Sequence, residues 1–203
     1  MFTETIASPA GAATGSVSES HALILLRRSC RRGYAIEPLR NGGAVIRYRR
    51  ASLTATAPVQ NTITLTPHEP AEPTDLDLSN LRYIDAVKIA RFTGSDRYAL
   101  PVVLAGTYEI PPGQAERLSR QSFLADAADG TLRLTLAARL TLLAASHARM
   151  DAGDRTTAWC SCGLAVHGKP ERVDAVLISH LAAVTDEFLD SLDPAFTAAV
   201  TSA

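Results

Sequence analysis

The stretch HALILLRRSCRRGYAIEPLRNGGAVIRYRR, residues 21–50, decides the fold class because its hydrophobic period changes along its length. Residues 21–32 place Leu23, Ile24, Leu26 and Cys30 among four arginines, which predicts a short amphipathic helix ended by Gly33. The Asn-Gly-Gly sequence at 41–43 is a turn signal, and the run AVIRYRR that follows it at 44–50 is typical of a strand. A helix followed by strands indicates an α+β protein.

The regions on either side of this stretch differ in character. In NTITLTP, residues 61–67, apolar and threonine side chains alternate, which predicts another strand and a first module of helix, strand, strand over 20–66. Residues 1–19 are small, polar and without hydrophobic period, so we expect a disordered leader there.

A proline-rich segment follows the first module. Pro67, Pro70 and Pro73 alternate with acidic residues, which forbids a helix and predicts a linker over 67–79. Ser79 or Asn80 is then expected to cap a helix that runs through LRYIDAVKIARF.

The next region has a recurrent order of elements. GQAERLSRQSFLA predicts a helix, DAADG a hairpin turn, TLRLT a strand, and LAARLTLLAASHARM a second helix capped by Thr135. This order over about residues 108–148 resembles the recognition helix, wing and following helix of bacterial winged-helix regulators. The resemblance implies a DNA-binding fold for the module over 80–149.

The segment AWCSCGLAVHGKPERVDAVLISHLAAV, residues 158–184, holds the most chemistry. Gly163 permits a tight turn after Cys160 and Cys162, and the spacing of apolar residues predicts a long helix from about Glu171 to Leu192 that carries His180 on its apolar face. Two thiolates on a hairpin and an imidazole on the next helix favour structural zinc, which prefers four tetrahedral sulfur and nitrogen ligands.

The fourth zinc ligand has two candidates. His167 follows the hairpin closely enough to fold back across it and is our first choice, and His147 at the end of the preceding helix is the alternative. The competing interpretation is that both cysteines are small buried residues and His180 is a core histidine. With Trp159 before the cysteines, the segment also resembles small Cys-x-Cys-Gly…His segments of GC-rich bacteria and their phages, a likeness that implies no activity.

The net charge of −1 conceals a strong asymmetry. Residues 20–50 contain eight arginines and Glu37 alone, a local charge of +7, so the rest of the chain sums to −8. A basic segment of this kind suits the phosphates of duplex DNA, although it could equally be a solvated face or a surface that docks onto the acidic remainder of the chain. The predicted phosphate contacts are Arg27, Arg28, Arg31, Arg32, Arg47, Arg49 and Arg50, and the predicted base-edge contacts are Arg117 and Arg120.

Several function classes lack support in the sequence. Nucleophile-elbow, phosphate-loop, dinucleotide-binding and His-Glu-x-x-His motifs are absent, so we expect no enzymatic activity. Three cysteines and no apolar run of membrane length predict a soluble cytoplasmic protein with neither a disulfide framework nor a membrane partner.

The sequence therefore predicts an α+β fold of two small helix/β-hairpin (winged-helix-like) modules followed, over 150–203, by a hairpin-helix zinc-like unit. The leading hypothesis is a DNA-binding regulatory or architectural protein, with a mobile element as its candidate origin. The alternative is a non-enzymatic adaptor of phage or plasmid origin that binds an acidic protein around a structural zinc site. A homodimer is open on either hypothesis.

Overall fold

A computed structural model describes residues 1–50, 59–69, 72–87, 113–126, 132–153, 156–192 and 197–198. These residues form a mixed α and β fold with antiparallel sheets. The helices are α1 (Glu19–Arg31), α2 (Asp75–Val87), α3 (Gln114–Arg120), α4 (Leu136–Ser146) and α5 (Pro170–Ser191). The strands are β1 (Phe2–Ser8), β2 (Gly11–Val17), β3 (Ala35–Pro38), β4 (Ala44–Arg50), β5 (Val59–Pro67), β6 (Leu124–Asp126), β7 (Leu132–Leu134), β8 (Arg149–Asp151), β9 (Thr157–Cys160) and β10 (Ala165–His167).

The main sheet has five antiparallel strands in the order β2-β1-β5-β4-β3. Its first hairpin corrects our prediction of a disordered leader, because residues 2–17 form β1 and β2. Phe2 is buried, and β1 pairs with β5 from Phe2 to Ala7. Pairing with a central strand supplies the hydrogen bonds and the apolar contact that a polar hairpin lacks on its own.

Helix α1 confirms the predicted amphipathic helix and begins two residues earlier than expected. The Ser18 hydroxyl accepts a hydrogen bond from the His21 N–H, which caps the first turn. Ala22, Leu23 and Leu26 are fully buried, and the exposed arginines lie on the other side.

Helix α2 begins at Asp75, so the expected cap at Ser79 or Asn80 is wrong and the linker predicted over 67–79 is shorter. Thr74 and Asp77 form a reciprocal capping box: the Thr74 N–H donates to the Asp77 carboxylate at 2.8 Å, and the Asp77 N–H donates to the Thr74 hydroxyl at 3.2 Å. This capping box starts the helix at Asp75, although the segment before it is rich in proline.

The two predicted modules share one hydrophobic core. A single buried cluster joins α1, β1 and β3–β5 of the first region to α2, α3, β6, β7 and α4 of the second. The helix, hairpin, helix order of α3, β6, β7 and α4 matches the expected order of elements, with α3 only seven residues long. Residues 127–131, which include most of the predicted DAADG turn, lie outside the described residues, and the winged-helix resemblance stays a prediction.

The C-terminal region forms a second, smaller unit that confirms the predicted hairpin and long helix. Strands β10, β9 and β8 make a three-stranded sheet against the first half of α5, around a cluster of only four buried side chains, Ala158, Val166, Val173 and Leu177. The second half of α5 buries Leu189 in the main core, so this helix connects the two units. Within the described ranges, no helix combines the length and apolarity needed to cross a membrane.

Candidate metal centre

A tight turn between β9 and β10 presents the two C-terminal cysteines. Gly163 adopts φ +101°, a conformation that favours glycine, and its N–H donates to the Cys160 carbonyl at 2.9 Å. The Cys160 N–H in turn donates to the Leu164 carbonyl at 2.8 Å. Cys160 is buried and Cys162 is exposed, so the turn points one thiol inward and leaves the other at the surface.

Two helices supply the histidines. His147 ends α4, where its N–H donates to the Leu143 carbonyl at 3.0 Å. His180 lies one turn beyond Leu177, on the side of α5 that packs against the hairpin. The end of α4, the β9–β10 turn and the middle of α5 therefore meet at one point.

The four side chains form what we call the four-ligand cluster, defined as His147, Cys160, Cys162 and His180. Their ligand atoms all lie within 4.8 Å of one another, so the cluster could hold a metal ion. The Cys162 Sγ is 3.3 Å from the His180 Nε2, the Cys160 Sγ is 3.6 Å from the His147 Nδ1, and the two ring nitrogens are 3.3 Å apart.

His167, our first choice as fourth ligand, lies outside the four-ligand cluster. It is exposed, and its Nδ1 is 3.1 Å from the Thr157 hydroxyl, its register partner on β9. Because side chains alternate across a strand, Thr157 and Cys160 project from opposite faces of β9, and His167 shares the Thr157 face. The alternative candidate, His147, is the histidine that the fold brings to the cysteines.

Burial adjusts the ionisation of this cluster. Burial lowers the pKa of His147, and the neighbouring His180 lowers it further, so the neutral ring that can bind a metal is favoured. Burial raises the pKa of the Cys160 thiol, with Cys162 nearby. The Cys160 thiol therefore favours its protonated form, and a cation must displace that proton to bind the thiolate.

The third cysteine, Cys30, lies apart on α1 and is half-buried. Burial raises the pKa of its thiol to about 12, with added effects from Asp186 and Asp190 on α5. Its thiolate fraction near pH 8 is therefore about a thousandfold below that of a thiol with the usual pKa of 9.0.

We expect iodoacetamide at pH 8 to alkylate both Cys160 and Cys162 before Cys30 in protein stripped of metal. Peptide mass spectrometry over time measures this order. Urea-unfolded protein is the control, since all three thiols should then react at similar rates. Alkylation of native Cys30 as fast as in urea would contradict the raised pKa.

The arginines predicted to bind nucleic acid divide into two groups. Four of them have partners within the chain: Arg27 donates to the Leu189 carbonyl, Arg47 to Glu37, Arg117 to Asp77, and Arg120 to Glu116. The Arg117–Asp77 pair is the most buried of these at its acidic end, because the Asp77 side chain is 0% exposed. These contacts favour, for this group, docking of basic side chains onto the chain's own acidic and polar groups.

The second group faces solvent. Arg28, Arg31 and Arg32 are exposed at the C-terminal end of α1, and Arg49 is exposed on β4. The side chain of Arg50 lies outside the described residues. We call Arg28, Arg31 and Arg32 the α1 arginine patch.

No protein-family model, curated protein or solved structure matches this chain. The case for each site therefore rests on the geometry and chemistry of the chain's own residues.

Proposed function

We propose that the four-ligand cluster binds one Zn²⁺ ion as a structural site. The observation that carries this proposal is the spacing of the ligand atoms. Tetrahedral zinc with bonds of about 2.3 Å to sulfur and about 2.0–2.1 Å to nitrogen needs its ligand atoms about 3.3–3.8 Å apart. Three of the six separations in the cluster, 3.3, 3.6 and 3.3 Å, fall in that range, and all six are within 4.8 Å.

The donor atoms also favour zinc over other cations. Two thiolates and two imidazoles are soft or borderline ligands, whereas Ca²⁺ and Mg²⁺ take oxygen. Four protein ligands complete a tetrahedron and leave no open position for a water or substrate, which supports a structural role rather than a catalytic one.

The small core around the cluster indicates that a bound ion would stabilise the C-terminal unit. Among the described residues, the hydrophobic cluster of the C-terminal unit has four buried side chains, a core too small to hold a three-stranded sheet by itself. An ion bound by His147, the hairpin cysteines and His180 joins the end of α4, the β9–β10 turn and the middle of α5. It would therefore fix the hairpin against both helices.

The test is to measure the metal content of the purified protein by inductively coupled plasma mass spectrometry. We expect about one equivalent of zinc, and less than about a tenth in Cys160→Ser and His147→Ala variants. His167→Ala is the matched control, because this histidine lies on the exposed face of the same sheet and should leave the zinc content unchanged. Equal losses in His147→Ala and His167→Ala, or no zinc after reconstitution, would contradict the proposal.

A second candidate function is binding of duplex DNA through the α1 arginine patch. The observation in its favour is that these three arginines are exposed and form no ion pair with any part of the chain that the structure describes. Guanidinium groups with this freedom can neutralise backbone phosphates and release counterions. Arg117 and Arg120 are engaged in ion pairs, so this candidate covers backbone contact and omits base reading.

Fluorescence anisotropy with a labelled duplex tests the DNA candidate. Three phosphate contacts predict that log K falls with log salt with a slope of about −2.7. Replacing the α1 arginine patch by glutamine should abolish binding, whereas Arg120→Gln, which removes an exposed arginine already paired with Glu116, should retain it. Absence of binding at low salt would reject DNA. Retention of an acidic protein by the same patch would support the adaptor hypothesis.

A further inference from the structure

The outer edge of the main sheet is a separate feature that neither the zinc site nor the α1 arginine patch uses. Among the described residues, β2 is the end strand of the sheet and pairs with β1 alone, in continuous register from Phe2–Val17 to Ser8–Gly11. A strand in that position keeps one row of main-chain donors and acceptors available.

The hydrogen-bond alternation identifies which groups form that row. The His68 N–H donates to the Met1 carbonyl at 3.1 Å, so the odd-numbered residues of β1 bond toward β5. The even-numbered residues of β1 therefore bond toward β2, where their register partners are odd-numbered. The N–H and C=O groups of Ala12, Thr14 and Ser16 consequently point away from β1.

This edge lacks the usual protection against pairing. The sequence GAATGSV contains no charged residue and no proline, and six of its seven residues are exposed. The opposite edge differs, since β3 has four residues that include Glu37 and Pro38 and is packed by α5. Short length, charge, proline and a covering helix are the devices that block edge pairing, and in the described part of the chain β2 has none of them.

The spacing of the outward groups is self-complementary. In an antiparallel pair of two β2 strands centred on Thr14, Thr14 faces Thr14 of the second copy and Ala12 faces its Ser16. These three opposed pairs exchange six main-chain hydrogen bonds, two at each pair. The side chains that meet are small and neutral, so neither volume nor charge opposes the contact.

We propose that β2 pairs with β2 of a second copy of this chain, which makes a two-fold symmetric dimer with a continuous ten-stranded sheet. The two-fold axis runs perpendicular to the sheet, so the helix-covered faces of both copies lie on the same side. The same strand meets itself across the axis, as closed two-fold symmetry requires. Strand pairing alone buries less area than a standard interface, so the dimer is reversible and depends on concentration.

Sedimentation of the full chain from about 1 to 300 µM tests the proposal over the range expected for a small interface. The weight-average mass should rise from 21.6 kDa toward twice that value. Thr14→Lys places two like charges opposite each other at the axis and should weaken dimerisation at least tenfold. The matched control is Thr5→Lys, one strand further in. It breaks the same contact between the Thr5 and Thr14 hydroxyls and adds the same charge.

Thr5→Lys should dimerise as the unmodified protein does. A mass of 21.6 kDa at every concentration, or equal dimerisation of the two variants, would overturn the proposal. Hydrogen exchange of the unmodified protein provides a second measurement that needs no variant. The amides of Ala12, Thr14 and Ser16 should exchange more slowly as concentration rises. Doubling of the mass without that change would locate the dimer contact elsewhere.

Discussion

Removal of the zinc ion that we propose for the four-ligand cluster is expected to unfold residues 148–169 while the five-stranded sheet stays folded. The reason is the unequal size of the two cores. The hydrophobic cluster of the hairpin unit has four buried side chains, whereas the main core joins residues from α1, α4 and the central strands β4 and β5. Without the ion, the entropic cost of ordering the hairpin exceeds the free energy that so few apolar contacts contribute.

The size of the effect follows from linkage between binding and folding. An ion present at about a thousand times its dissociation constant stabilises the folded state by about 4 kcal/mol when it binds the folded form alone. Loss of that stabilisation is enough to unfold the hairpin locally, because the least stable part of a protein opens at the lowest free energy.

Hydrogen exchange with mass spectrometry, with and without a chelator, measures this outcome. Peptides from β8, β9 and β10 should exchange rapidly after chelation, peptides from β4 and β5 should not change, and added zinc should restore protection. Cys160→Ser should reproduce the chelated pattern without chelator. Uniform loss of protection would show instead that the two units unfold together, and unchanged protection of the hairpin would show that its apolar contacts suffice.

Local signals explain what the sequence predicted well. The helix at α1 and the strands at β4 and β5 each carry a clean apolar period and a boundary residue, such as Gly33 with φ +67° after α1. The hairpin and long helix at the C-terminus were equally predictable, because Gly163 and Pro170 lie at their turns. In each case the deciding information lies within about ten residues of chain.

The wrong predictions concern features that depend on contacts between residues far apart in the sequence. β2 is exposed on both faces, so no alternation of apolar and polar residues marks it, and it is stabilised by pairing with β1. His147 is separated from His180 by 33 positions, and they meet only because the fold packs both α4 and α5 against β3. Arg27 contacts Leu189 across 162 positions, so its engagement could not be recognised from the local charge.

A Gly43→Ala substitution is expected to lower the free energy of unfolding of the main core by about 3 kcal/mol, at the upper end of the usual cost of overpacking. Gly43 ends the β3–β4 turn, and its carbonyl accepts the Leu39 N–H at 2.9 Å. A Cβ added there would lie 2.4 Å from the Leu65 carbonyl oxygen, closer than real Cβ contacts allow. The obstacle is the backbone of β5, which is held by β1 on one side and β4 on the other, so it cannot shift cheaply.

Urea denaturation followed by circular dichroism measures the change, with Gly15→Ala as the matched control. A Cβ at Gly15 meets nothing within 4 Å, and its backbone is outside the left-handed region, so this variant should stay within about 0.5 kcal/mol of the unmodified protein. Zinc content should be unchanged in both variants, because the clash lies in the main core. Equal stability of the two variants would mean that β5 shifts freely at Leu65, which is incompatible with a central strand paired on both edges.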